Sequence, residues 1–112
     1  MQKEFIPYEQ AIALKELGFD EPCLMYYDYS YTLVESGVYK CKAPLYQQAF
    51  RWFREKYGLS GLIEIGTQEF SYQVFNDKGN RQLGIEPIKY NGKYEEAELA
   101  CLNKLIEIVK TK

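Results

Sequence analysis

Tyr8-Glu9-Gln10-Ala11, Tyr46-Gln47-Gln48-Ala49 and Tyr94-Glu95-Glu96-Ala97 are three versions of one tetrapeptide, and they decide the fold. Each offers an aromatic residue, two acidic or amide residues and then a small residue where a helix can approach a neighbour closely. The intervals between them, 38 and then 48 residues, are too irregular for a solenoid repeat. They mark instead three helices set between stretches of strand.

Around the first copy, Ala11, Leu14 and Leu17 recur at helical spacing after Pro7, and Gly18 supplies a stop, so the first helix is predicted over 8–17. Pro44 starts the second helix, which carries the second copy, runs to Tyr57 and stops at Gly58. Tyr46, Ala49, Phe50, Phe53 and Tyr57 form its apolar face, Gln47, Arg51, Arg54 and Glu55 its polar face, with Trp52 at the boundary. The third helix, 94–109, carries Ala97, Ala100, Cys101, Leu105 and Ile108 on one stripe.

Between the helices the period changes to two. Residues 24–34 alternate Met25, Tyr27, Tyr29, Tyr31 and Leu33 with Tyr26, Asp28, Ser30, Thr32 and Val34. A turn at Glu35-Ser36-Gly37 leads to a second strand, 38–42, which places Lys40 and Lys42 on one face and Tyr39 and Cys41 on the other. Asp28-Tyr29-Ser30 can also be read as a bend. Further strands follow at 62–65, 70–75 and 82–88, with turns at Asp77-Lys78-Gly79-Asn80 and Asn91-Gly92. Pro87 assigns the last strand to an edge. Without Gly-rich strand–helix alternation, the expected class is α+β. The expectation is a single domain spanning 1–112, an antiparallel sheet of four to five strands with three helices packed mainly on one face.

Composition limits the chemistry. The 112 residues include no histidine, and Cys23, Cys41 and Cys101 form no Cys-x-x-Cys pair. Those cysteines are expected as reduced thiols acting as small apolar residues, and a metal site is not expected. No Walker loop, dinucleotide fingerprint or nucleophile motif occurs, so the chain is not expected to be an enzyme and no cofactor is implied. Glu95, Glu96 and Glu98 suit the positive end of a helix dipole, and Asp20-Glu21 sits in a connector. The N-terminus lacks the form of a signal peptide, and no apolar run approaches the about 18 residues that span a bilayer. A soluble, cytoplasmic protein with no membrane partner is expected.

Charge is unevenly placed. Residues 1–36 carry two Lys and seven acidic side chains, or −5; residues 37–58 carry five cations against Glu55, or +4; the remainder carries −1. The net −2 argues against duplex DNA as a partner, while the basic segment suits one small anion. Arg51 and Arg54, three apart on a helix, could clamp a phosphate while Trp52 or Tyr57 stacks on a base, with Lys40 and Lys42 adding charge. The tyrosine run 26–31, Tyr26 and Tyr29 included, is either core packing, a stacking platform or a hot spot for a protein partner.

Three stretches, YEQAIALKELGFDEPC from Tyr8 to Cys23, QQAFRWFREKY from Gln47 to Tyr57 and YEEAELACL from Tyr94 to Leu102, resemble a family of small uncharacterised proteins from phages and prophages of Bacteroidetes-type bacteria. The resemblance covers about half the chain and implies a mobile-element protein acting in a host bacterial cytoplasm. It carries no activity, cofactor or functional residue. The leading expectation is a phage-encoded, anti-defence binding protein that sequesters an anionic nucleotide-like ligand. The alternative is an interaction module that inhibits a host or phage protein through a Tyr-rich surface. A second copy of the chain is an open partner class as well.

Overall fold

The computed structural model describes residues 4–65, 70–76, 86–88 and 94–111. Its order is α1 (Tyr8–Glu16), β1 (Met25–Tyr27), β2 (Leu33–Val34), β3 (Cys41–Ala43), α2 (Tyr46–Tyr57), β4 (Ser60–Ile65), β5 (Phe70–Phe75), β6 (Glu86–Ile88) and α3 (Tyr94–Lys110). The class is α+β, with three helices and antiparallel pairing throughout. The strands form two three-stranded sheets, β2-β1-β3 and β4-β5-β6, where the sequence predicts one sheet. Every strand pairs with a near neighbour in the chain on its own side of α2, the pairing that costs least loop-closure entropy. The chain falls into two compact units, Met1–Ala49 and Phe50–Lys112.

In the first unit α1 packs on β3. Pro7, with φ fixed near the helical value, precedes α1, and Gly18 at φ +100° ends it in a left-handed turn that glycine adopts without strain. The Gly18 N–H bonds to the Lys15 carbonyl and the Phe19 N–H to that of Leu14, which satisfies two carbonyls left open at the helix end. Leu14 and Phe19 are both buried beside that cap, with Phe5, Ile6, Ala11, Cys41, Ala43, Tyr46 and Ala49. Pro44, predicted to start the second helix, lies outside α2, which begins at Tyr46 because residues 44–45 are held by the segment at Phe5–Ile6. The Pro44 carbonyl accepts from the Ile6 N–H at 2.9 Å and Pro44 is fully buried, while Phe5 bridges Leu45.

The predicted strand over 24–34 breaks into β1 and β2. Asp28 Oδ1 accepts from the backbone N–H of Ser30 at 2.8 Å and of Thr32 at 3.0 Å, and these bonds hold a tight loop where alternation alone predicts extended chain. β2 then folds back on β1, pairing Val34 with Tyr26 and Leu33 with Tyr27. β3 pairs with the opposite edge, Cys41 against Tyr27 and Lys42 against Tyr26.

In the second unit α3 packs on β4 and β5 and buries Ala97, Cys101, Leu102, Leu105 and Ile106. Ala100 and Ile108 are only half-buried, so the apolar stripe is turned toward Leu102 and Ile106 from its predicted line. Gly61 on β4 lets the strand approach α3 closely: a Cβ there would lie 2.7 Å from Cys101 Sγ. β6 is an edge strand, as Pro87 requires. The turns predicted at 77–80 and 91–92, and residues 82–85 of the predicted last strand, lie outside the described residues.

The alanine of each tetrapeptide is buried: Ala11, Ala49 and Ala97. The amide of the second copy has a separate role. Gln48 Nε2 donates to the Pro22 carbonyl at 2.7 Å and Gln48 Oε1 accepts from Cys23 Sγ at 3.7 Å, tying the connector after α1 to the start of α2.

Candidate functional site

The aromatic surface of the first unit is built on the loop that Asp28 closes. Asp28 N–H donates to the Thr32 carbonyl at 3.0 Å and Tyr31 N–H to the Asp28 carbonyl at 3.1 Å, so backbone and side chain hold the loop together. Tyr31 sits at φ +64°, the left-handed region that costs an L-residue about 1–2 kcal/mol. Its neighbours explain how that conformation persists. The Tyr31 ring meets Tyr8 edge-on at 4.6 Å, and Tyr8 meets Tyr27 edge-on at 5.6 Å. Tyr27 is anchored by its hydroxyl, which donates to the Ile6 carbonyl at 2.8 Å. Tyr29 and Tyr31 are nonetheless 66% and 64% exposed.

Lys40 completes this cluster. Lys40 lies at a bend before β3, outside the strand, and its ammonium stands 5.5 Å from the Tyr8 ring centroid and 5.9 Å from that of Tyr31. The predicted common face for Lys40 and Lys42 therefore does not form. Strand alternation holds only over 41–43, and the bend turns Lys40 toward Tyr8. The Tyr8 hydroxyl holds the Lys40 pKa above the ordinary lysine value, and Tyr31 and Tyr29 add to the shift. Lys15 of α1 joins from the side, its ammonium donating to the Lys40 carbonyl at 2.7 Å.

A second pairing occupies the other face of β1. Tyr26 stacks on Tyr39 with centroids 4.4 Å apart, and Lys42, the cross-strand neighbour of Tyr26, pairs with Asp20 at 3.0 Å. That contact raises the Lys42 pKa, with the Asp20 hydrogen bond as the main cause. Lys42 is thus engaged within the unit. Cys23 lies near it, its thiol pushed up to about 11 chiefly by burial, which keeps it protonated and a poor nucleophile.

The other predicted site residues belong to the second unit. Arg51 is exposed and reaches Glu55 at 4.0 Å, and Arg54 is exposed one turn along. Trp52 is 5% exposed, where the sequence places it at a boundary. Its ring packs edge-on against Phe53 at 5.1 Å and Tyr57 at 5.5 Å, and the Lys56 ammonium stands 5.2 Å above it. A ring so enclosed offers no free face for a base, so Trp52 is packing and the arginines stand without it. Tyr57 is half-buried.

The site residues predicted from sequence accordingly fall into separate groups: Lys40 with Tyr29, Tyr26 with Lys42, and Arg51, Arg54, Trp52 and Tyr57 on α2. Sequence reasoning did not single out Tyr8 and Lys15, which share a stripe of α1 seven residues apart. Among the described residues no three of His, Cys, Asp and Glu converge to hold a metal ion, and no helix is long and apolar enough to cross a membrane. No family model, curated protein or solved structure matches the chain.

Proposed function

We propose that this chain is a non-catalytic binding protein that docks another protein through the tyrosine-rich surface of its first unit. The observation that supports this reading is the loop 28–32. It presents Tyr29 and Tyr31 largely exposed, on a backbone already fixed by Asp28, with Tyr31 in a left-handed conformation. Tyrosine brings large contact area for few rotatable bonds, and a preformed loop lowers the ordering cost of association. Tyr39 and Val38, elsewhere on the same unit, are 43% and 80% exposed. In the setting that the resemblance to phage and prophage proteins implies, the partner is a protein of the bacterial host or of a competing element. Inhibition by occlusion is the mode such a surface suits.

The test is affinity capture from a bacterial host lysate with the wild-type chain and with a Tyr29→Ser/Tyr31→Asn variant, whose Asn tolerates the left-handed backbone. A protein retained by the first and lost by the second, at matched melting temperatures, supports the reading. An identical set of captured proteins rejects it. Calorimetry with linear and cyclic nucleotides covers the sequestration alternative. A nucleotide that binds intact and is weakened by Arg51→Ala or Arg54→Ala would move the function to α2.

A further inference from the structure

We infer that two copies of this chain pair along β4, the two strands running antiparallel about a two-fold axis at Ile63. The inference stands on the second unit alone and is independent of the tyrosine loop. β4 is an edge of the β4-β5-β6 sheet, and at 6 residues it is the longest edge among the described strands. The other edges, β2, β3 and β6, have 2, 3 and 3 residues. A long open edge is normally blunted by proline, by lysine or by shortness. β6 has Pro87 and is short, whereas Ser60–Ile65 contains neither proline nor a basic residue, and its one charge is Glu64. Two of its apolar side chains are open to solvent, Leu62 at 49% and Ile65 at 72%.

Pro87 determines which backbone groups face that edge. It lies opposite Ser71 and has no N–H, so the bonds of this ladder fall at the flanking pairs, Phe70–Ile88 and Tyr72–Glu86. Alternate residues of β5, namely Ser71, Gln73 and Phe75, then turn their N–H and C=O to β4, where they face Glu64, Leu62 and Ser60. The backbone groups of Gly61, Ile63 and Ile65 are left pointing away from β5. Among the described residues β4 bonds to no other strand.

The outward set is its own complement. With the axis at Ile63, Ile63 meets Ile63 of the second copy and Gly61 meets Ile65, so every outward N–H and C=O of β4 finds a partner. Side chains agree with this register. Gly61 lies against Cys101 and Leu105, which puts Gly61, Ile63 and Ile65 on the α3 face of the strand. Ile65 of each copy, exposed in the single chain, then stands opposite a glycine that has no side chain to obstruct it. On the other face Leu62 stands opposite Glu64 of the second copy and can pack on its aliphatic stem. Moving the axis to Glu64 would set the two carboxylates directly opposite each other, and moving it to Leu62 would leave Ile65 outside the described pairing. Joined in this way the sheet ends at β6 on both sides, where Pro87 and a short strand discourage further addition, so the assembly closes as a dimer.

Sedimentation of the full chain over a concentration series, with amide hydrogen exchange read at each residue, tests the pairing. A monomer–dimer equilibrium is expected. As concentration rises, exchange should slow at Gly61, Ile63 and Ile65, while Leu62 and Glu64, already bonded to β5, should change little. This pattern is read on the unaltered chain, so it does not depend on any variant folding. Ile65→Lys, at an exposed position, should keep the melting temperature and weaken the dimer by about tenfold or more. Leu62→Lys should keep the dimer, because the new ammonium lands opposite Glu64 of the second copy. A chain that stays monomeric at every concentration would overturn the inference. So would a dimer indifferent to Ile65→Lys, a dimer lost in Leu62→Lys, or a dimer whose slowed amides lie outside β4.

Discussion

Replacing Gly61 by alanine should destabilise the second unit, because the new Cβ would enter space that Cys101 already fills. It would lie 2.7 Å from Cys101 Sγ, with Leu105 Cδ1 at 3.4 Å and Phe50 Cδ1 at 3.5 Å. Non-bonded heavy atoms are comfortable at about 3.5–4.0 Å, so the sulfur must give way by roughly 1 Å. Cys101 is fully buried and Leu105 beside it is too, which leaves little room to move. Overpacking of this kind costs about 1–3 kcal/mol. Loss of glycine freedom in the unfolded chain offsets about 0.5–1 kcal/mol of that. The net is about 1–2 kcal/mol, or a melting temperature lower by about 5–10 °C for a chain of this size. Thermal and urea unfolding of Gly61→Ala, Cys101→Ala and the double variant form the assay. The two changes should compensate, with the double variant more stable than the sum of the singles by about 1 kcal/mol. Strict additivity, or a Gly61→Ala protein as stable as wild type, would refute the close approach of β4 to α3.

Three further outcomes follow from the packing. Ala97→Lys places a charge at a fully buried position and should abolish cooperative unfolding, whereas Ala100→Lys, at a half-buried position, should cost only about 1 kcal/mol by urea melting. Tyr31→Gly relieves a left-handed strain of about 1–2 kcal/mol and removes ring contact with Tyr8 of about 0.5–1.5 kcal/mol. Its stability should stay within about 1 kcal/mol of wild type, and a much larger loss would make the ring structural. Burial pushes the Cys101 thiol from 9.0 up to about 12 and Cys23 to about 11. In both cases the folded state holds its proton more tightly than the unfolded state, so this stability is intact below about pH 9 and lost as pH rises toward 12. Urea midpoints should fall across that window, and Cys101→Ala should flatten the fall.

The helices were legible because their signals are local. Pro7, Gly18 and Gly58 bound α1 and α2 as read, and each tetrapeptide alanine is buried. Residues 24–34 left a continuous strand and a bend at Asp28-Tyr29-Ser30 both open, because alternating tyrosines satisfy the strand period as well as any strand does, and the structure takes the bend. The bonds from Ser30 and Thr32 to Asp28 Oδ1 decide the bend, and periodicity does not register them. Trp52 misled: its position on the helical wheel is borderline, and packing against Phe53 and Tyr57 encloses it. The grouping of the candidate site residues was not legible in the sequence. Lys40 was marked as a candidate, but its companions Tyr8 and Lys15 come from α1, far away in sequence. The basic charge between 37 and 58 suggested one cluster, yet Lys40 turns to α1, Lys42 takes Asp20, and Arg51 reaches Glu55.

The most direct test of the docking surface is the affinity of the captured, purified partner for the wild-type chain and for Tyr29→Ser/Tyr31→Asn, measured by calorimetry. Exposed tyrosines that act as anchors contribute about 2 kcal/mol or more, so the account predicts at least roughly thirtyfold weaker binding at an unchanged melting temperature. Equal affinity of the two proteins, or a loss seen only on changing Arg51 and Arg54, would contradict it.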